Sequence, residues 1–320
     1  MAKSVLSEVH FQSEEAAFAY VEAKLWPDGP TCPFCGATEE HIGKLEGKTT
    51  RAGLRKCYAC KKPFTVRIGT IFESSHLALR LWLQVIYLMC SSKKGIATRQ
   101  IQRTLQCSMK TAWFLTHRVR EAMKDGQLGP LGGEGEFIEA DSTYVGGKEK
   151  YKHASKRRYA PGGVGKQIVH SLVERGGRVR SHHIPNVSGE TLRPILIAHA
   201  SFKSALMTDT HGGYMHVGKK FARHEMVDHG MGEYVRGDAH SNTAENYFSI
   251  LKRGITGCYF HVSEAHLHRY LAEFDFRYSN REKLGVDDVS RTDIAIMGTK
   301  GKRLTYETTR SPRPAEAAQF

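Results

Sequence analysis

The chain has 320 residues, with 47 Lys+Arg against 33 Asp+Glu, a formal charge of +14 and a sequence pI near 9.4. Hydrophobic content of 40% and charged content of 25% are globular values and exclude a disordered or collagen-like chain. No apolar run reaches the ~18 residues of a membrane span, and the first ten residues lack the apolar core of a secretory signal. The expectation is a cytoplasmic protein that meets a polyanion, nucleic acid first. At ~150 residues per domain the length suggests about two domains with room for a smaller module.

In chain order, residues 14–25 carry an amphipathic helical pattern that stops at Trp26-Pro27, giving an N-terminal helical segment over 1–27. Residues 28–73 hold two knuckles, Cys32-Pro-Phe-Cys35 and Cys57-Tyr-Ala-Cys60. Two matched pairs at this separation bring four sulfurs to one tetrahedral ion, the pattern of a structural zinc ribbon. Disulfides are the competing reading, and a cytosolic compartment disfavours them. So small a module has little core, so zinc would supply folding energy on the order of 10 kcal/mol. The β-branched and aromatic stretch 63–72 predicts a closing strand. Cys90, Cys107 and Cys258 sit in apolar patterns and are expected as buried thiols.

Residues 74–126 predict three helices. Apolar residues recur at helical spacing over 77–89, and Lys93-Lys94-Gly95 makes a turn. Ile96, Ile101 and Leu105 mark the second helix. Cys107-Ser108 turns with Ser108 as an N-cap, and 109–123 forms the third. Lys110, His117, Arg118 and Arg120 on the last helix suggest a helix-turn-helix, with Lys110, Arg118 and Arg120 facing DNA; a plain three-helix bundle is the alternative.

Glycines 129, 132, 133 and 135 form a linker, after which the periodicity changes. Strands are expected over 137–141, 167–173 and 179–184, with a Gly176-Gly177 hairpin turn. A helix follows over 192–200 with Ser188 as a possible cap, then a short strand over 204–208 ending at Asp209. Helices are expected over 242–253 and 264–278. Strands first and then strand-helix alternation imply an α/β or α+β domain over 134–284, then a tail over 285–320, so the fold class is α+β multidomain with a ribbon and a helix-turn-helix ahead of that domain. Residues 148–166 read as a mobile basic loop. Lys148, Lys150, Lys152, Lys156, Arg157, Arg158 and Lys166 there face one acid, Glu149, a density suited to phosphate contact.

Two acids fall at expected strand ends, Asp141 and Asp209. Glu245 lies on the 242–253 helix, with Lys252 two turns further along the same face. Phosphodiester hydrolysis and strand transfer are in-line displacements, which two divalent ions activate and stabilise. Hard Mg2+ takes carboxylate oxygens, strand ends hold these rigidly, and a nearby Lys positions a phosphate. A trio among 33 acids arises easily by chance, so the local motifs decide.

Those motifs are CPFC, CYACKKPFTVRIGTIF, SKKGIATRQIQRTL, KTAWFLTHRVREAM, ADSTYVGGKEK, the TD of TDTHGGY, and HSNTAENYFSILKRGITGCYFHVSEAHLHRYLAEFDFRYSNR. Over about residues 18–280 the chain resembles insertion-sequence DDE transposases of the ISXO-like group. The resemblance implies that 134–284 is an RNase H-like α/β catalytic domain with a mixed sheet, and it implies catalytic Mg2+ with Mn2+ as a substitute and DNA transfer at element ends. The family's N-x-x-E followed by K falls on Asn242, Glu245 and Lys252; members differ in whether the Asn or the Glu is the third catalytic residue. A carboxylate holds Mg2+ better than an amide, so Glu245 is expected as the ligand and Asn242 as its accessory. One departure stands out: Ser142 follows Asp141 where the family commonly has Glu. The expected partners are terminal inverted repeats and target DNA, with a homodimer or larger assembly on DNA near the nucleoid.

Three other readings compete. A ribbon and helix-turn-helix regulator would bind DNA without cutting it. His266, His268 and Tyr270 superficially match nucleases that form a tyrosyl link, but their helical spacing is wrong for the strand those enzymes use. A zinc hydrolase would need ligand spacing such as H-E-x-x-H, which is absent.

Overall fold

The computed structural model describes residues 3–124, 129–147, 153–157, 163, 165–228, 231 and 235–305. Helices α1 (Val9–Gln12) and α2 (Glu14–Leu25) open the chain. The Ser13 hydroxyl caps α2 by accepting from the Ala16 amide. A small antiparallel sheet follows, β1 (Ile42–Lys44), β2 (Arg55–Cys57) and β3 (Pro63–Phe64), in that order. The expected strand over 63–72 is therefore cut to two residues. Beyond Phe64 the chain turns, because Arg67 closes a loop by donating to the carbonyls of Ser75 and Leu77 at 3.0 and 2.6 Å. Val66, Ile71 and Phe72 dive instead into the neighbouring helical core.

That core joins α1 and α2 to α3 (Leu79–Ser91), α4 (Thr98–Leu105), α5 (Met109–Ala122) and α10 (Asp288–Met297). Helix α10 corrects the expected tail: Ala295 and Ile296 are fully buried, and Asp293 accepts from Tyr20 at 2.5 Å and pairs with Lys24 at 2.7 Å. The Lys93-Lys94-Gly95 turn is real, and glycine is required there. Gly95 has φ +98°, and a Cβ would lie 2.0 Å from the Tyr259 hydroxyl.

The second layer is a five-stranded mixed sheet. Its strands are β4 (Phe137–Val145), β5 (Gln167–Glu174), β6 (Val179–Ile184), β7 (Ala205–Asp209) and β8 (Arg223–Val227), in the order β6-β5-β4-β7-β8. β4 pairs antiparallel with β5, and β5 with β6; β7 runs parallel to β4, and β8 to β7. Gly176, at φ +72°, makes the β5–β6 hairpin turn as expected. Strand alternation divides the sheet's residues. Ile138, Ala140 and Leu172 face α6 (Gly189–His199) and α7 (Met215–Gly218). Val145, Val169 and Val173 face α8 (Asn242–Gly254) and α9 (Glu264–Ser279). Ser188 caps α6 as expected, accepting from the Thr191 amide. One π-helical turn, Ile255–Tyr259, extends α8.

Candidate functional site

The first site is the sulfur cluster. Gly36 (φ +75°) lets the first knuckle turn, and its amide donates to Cys32 O at 3.0 Å. Cys57 ends β2, and its amide donates to Lys62 O at 3.0 Å to shape the second knuckle. Cys32 Sγ lies 3.7 Å from Cys60 Sγ, and Cys35 Sγ lies 3.7 Å from Cys57 Sγ. All four sulfurs fall within 4.8 Å of one another. A tetrahedron with Zn–S bonds of about 2.3 Å has edges of about 3.8 Å, so the set fits one zinc ion. The Cys60 backbone amide holds the Cys57 thiol down to about 7, whereas at Cys35 the Ala37 backbone amide is overcome by the neighbouring sulfurs, which hold the thiol up to about 12. Phe64, Trp26 and Ile42 pack around the cluster.

The second feature is the α4–α5 pair. Gln106 takes a left-handed conformation (φ +50°) and ends α4, and Ser108 caps α5 through the Thr111 amide at 3.1 Å. Arg99, Gln100 and Arg103 of α4 are exposed beside Met109, Lys110 and Thr111 at the start of α5. The second half of α5 is not. Arg118 is buried, donating to Glu73 O at 2.9 Å and Leu304 O at 3.0 Å. Arg120 is wholly buried and pairs with Glu273 of α9. Their expected DNA contacts are corrected: both guanidinium groups are spent inside the protein. His117 is buried as well, against Trp113 and Tyr270, and burial pushes it down to about 2. Of the basic loop, Arg157 is exposed after a short turn at Ala154–Lys156. Lys148, Lys150, Lys152 and Arg158, and the side chain of Lys156, lie outside the described residues.

The carboxylates form the third feature. The last paired rung of β4 and β7 is Ala140 with Thr208, so Asp141 and Asp209 are the next residue on each of two adjacent parallel strands. Asp141 Oδ1 accepts from the Ser142 amide at 2.6 Å, and Asp209 Oδ1 accepts from the His211 amide at 3.2 Å. The buried Tyr214 hydroxyl senses both acids: burial raises its pKa, and the charges of Asp209 and Asp141 raise it further. Helix α8 faces Asp141 across an open cleft lined by Glu245, Lys252 and Arg253. Asn242 is exposed at the first turn of that helix. Among the described residues, only the four cysteines form a cluster of three or more ligand groups within 4.8 Å, so Asp141, Asp209 and Glu245 are not all gathered within that distance.

Ser142 turns to the opposite face of the sheet from Asp141, and its Oγ lies 3.0 Å from His170 Nδ1. Ser142 still borders the cleft beside Asp141, so the change from the family pattern removes a carboxylate from that rim. His266 and His268 lie on α9, a helix, as their spacing implied.

Sequence reasoning missed Glu139. It sits two residues before Asp141 on β4, is fully buried, and has both oxygens engaged. The available signal was an acid among the apolar residues that open the strand, Phe137, Ile138 and Ala140, on the same face as Asp141.

A model of the ISXO2-like transposase domain matches residues 130–279, and one of the transposase zinc-ribbon domain matches residues 12–63. The chain is also 31% identical over 280 residues to an uncharacterised protein in transposable element ISH50 of Halobacterium salinarum, covering 83% of this chain and 91% of that relative.

Proposed function

Since the chain belongs to the ISXO2-like family of insertion-sequence transposases, we propose that it cuts DNA at the ends of its element and joins the freed 3′-hydroxyl to target DNA. The observation that carries this reading is the placement of Asp141 and Asp209 as the next residues after the last paired rung of two adjacent parallel strands, with Asp141 lining one cleft with Glu245 and Lys252 of α8. The sheet order, with three antiparallel strands followed by two parallel ones, supports an RNase H-like catalytic domain.

Asp141, Asp209 and Glu245 offer the hard oxygen donors that Mg2+ prefers over the thiolates of the ribbon. When bound, Mg2+ supplies activation of the attacking oxygen and neutralisation of charge at phosphorus. The chain's own residues do the rest. β4 and β7 hold two carboxylates on rigid backbone, so they need no ordering when substrate arrives. Lys252 and Arg253 on the cleft wall supply positive charge to orient a backbone phosphate. Water and a DNA hydroxyl attack phosphorus along the same line, so one cleft serves both cutting and joining.

The exposed start of α5, with Lys110, together with Arg99 and Arg103 of α4, is the surface that would enter a DNA groove as a helix-turn-helix. The zinc ribbon and the basic segment with Arg157 extend the contact to terminal inverted repeats and target DNA. Joining two ends to one target calls for two active sites, hence a dimer or larger assembly on DNA, working near the nucleoid.

The test incubates the purified protein with a labelled element end and Mg2+. The expected result is cleavage by the parent and at least a thousandfold less by Asp209→Asn, with DNA affinity retained. Equal cutting by Asp209→Asn would sink the carboxylate assignment. DNA binding without cutting by the parent would favour a regulator.

A further inference from the structure

We infer that Glu139 is a positioning residue that fixes the distance between Asp141 and Glu245, by capping from β4 the helix that carries Glu245. The inference rests on the proposed function and adds a residue to it that never touches substrate.

The geometry is specific. Helix α8 begins at Asn242, and its own N-cap residue, Ser241, makes no side-chain capping bond. The first turn of any α-helix leaves amides without intrahelical partners. Here Glu139 Oε2 accepts from the amides of Thr243 at 2.7 Å and Ala244 at 2.9 Å. Its Oε1 accepts from the Thr243 hydroxyl at 2.9 Å and from Arg175 Nε at 2.6 Å. His240 Nδ1 lies 3.2 Å from the same oxygen, and Arg175 also donates to the His240 carbonyl at 2.9 Å. The loop entering α8 and the first turn of α8 are thus tied to one carboxylate.

A buried carboxylate is costly unless charge and hydrogen bonds compensate it; Arg175 supplies the charge, and the amides and hydroxyl supply bonds. The negative group also sits at the helix end whose dipole attracts it. An ordinary Ser or Asp cap would stabilise α8 equally well but would leave it free to shift against the sheet. A cap from β4 removes that freedom. Glu139 and Asp141 share one face of one strand, and Glu245 lies at the end of the first turn Glu139 holds. A displacement of about 1 Å at a reacting centre is enough to cost about a hundredfold in rate.

The test compares wild type with Glu139→Gln and Thr243→Val. The first keeps the shape but presents an amide group where only acceptors fit. The second leaves the buried charge in place and removes one bond, so it folds even if the first does not. Three readouts are taken: amide exchange at residues 243 and 244, Mn2+ binding by electron paramagnetic resonance, and Mg2+-dependent cleavage of an element end. The expected result for Glu139→Gln is faster exchange, Mn2+ binding weakened at least fivefold, and kcat lowered at least tenfold with KM for DNA unchanged. Thr243→Val should move each in the same direction by less. Unchanged Mn2+ binding and kcat in a folded Glu139→Gln protein, or in Thr243→Val should Glu139→Gln fail to fold, would overturn the inference. If the parent binds Mn2+ but does not cut, the proposed function fails, and the Mn2+ comparison alone decides the role of Glu139. A parent that binds no Mn2+ overturns both.

Discussion

Arg120 Nε donates to Glu273 Oε2 at 2.7 Å with both side chains wholly excluded from solvent. The bond joins α5 to α9, and so the helical unit to the sheet domain. Glu273 also pairs with Arg277 and accepts from the Tyr259 hydroxyl at 2.5 Å. Arg120 lies 3.9 Å from the centre of the Tyr270 ring. The carboxyl is driven upward by burial, but the charges of Arg277 and Arg120 outweigh this and hold it near 2. Removing Arg120 breaks this bond and empties the space against Tyr270, while Arg277 still balances Glu273, at about 2–5 kcal/mol by analogy with other large-to-small core changes. Arg120→Ala should therefore lower unfolding stability by about that much, read by urea denaturation. Lys110→Ala, on the exposed start of α5, should change stability by less than about 0.5 kcal/mol while weakening DNA binding.

The same pair explains what the sequence could and could not reveal. A positive charge on a helix of a basic protein reads as a DNA contact, and its acid lies 153 residues away. Nothing local separates Arg120 from Lys110. The cysteine knuckles were legible because their spacing is itself the geometry. Asp209 was legible as a strand end; Asp141 was not, because β4 continues to Val145 as Thr143 and Val145 also turn inward. β8, with the sequence Arg-His-Glu-Met-Val, was missed because an edge strand with only Val227 buried shows no apolar alternation. α10 was missed for a related reason. Two of its four buried residues are Arg291 and Thr292, satisfied by carbonyls of Cys90, Asn280 and Asp288 rather than by apolar packing.

The ribbon should depend on its metal more than any other part of the chain. Its three strands are two or three residues long, and its core is Cys32, Cys57 and Phe64 with partly buried neighbours. Cys57→Ser should abolish stoichiometric zinc and unfold residues 28–63, while the helical core keeps its circular dichroism. Zinc analysis with limited proteolysis checks this. One zinc per chain retained by the variant would contradict the tetrathiolate site.

Lys252 should act on binding more than on stability. It is exposed on α8 and lines the cleft with Asp141 and Glu245. If it meets a DNA phosphate, Lys252→Ala should reduce the slope of log affinity against log salt by about 0.9, the loss of one neutralised phosphate. Affinity should fall alike for all sequences, because a phosphate contact carries no base information. Titrations at three salt concentrations measure the slope, and an unchanged slope would remove Lys252 from the phosphate-binding set.

His170 should make the sheet domain acid-sensitive. It is fully buried between Ser142 and Tyr214, and burial lowers its pKa from 6.5 to about 4, with the Asp141 backbone opposing. Between these values the unfolded chain binds a proton that the folded chain refuses, so stability falls as pH drops from 6.5 towards 4 and is fully present above 6.5. The shift corresponds to about 3 kcal/mol. His182, lowered to about 3, and His268, lowered to about 4, act in the same direction, so the slope of the parent sums several groups. His170→Asn should reduce the proton uptake on unfolding near pH 5 by about one. Denaturation midpoints across pH 4–7 measure it; parallel curves for parent and variant would show that His170 is not held neutral in the folded protein.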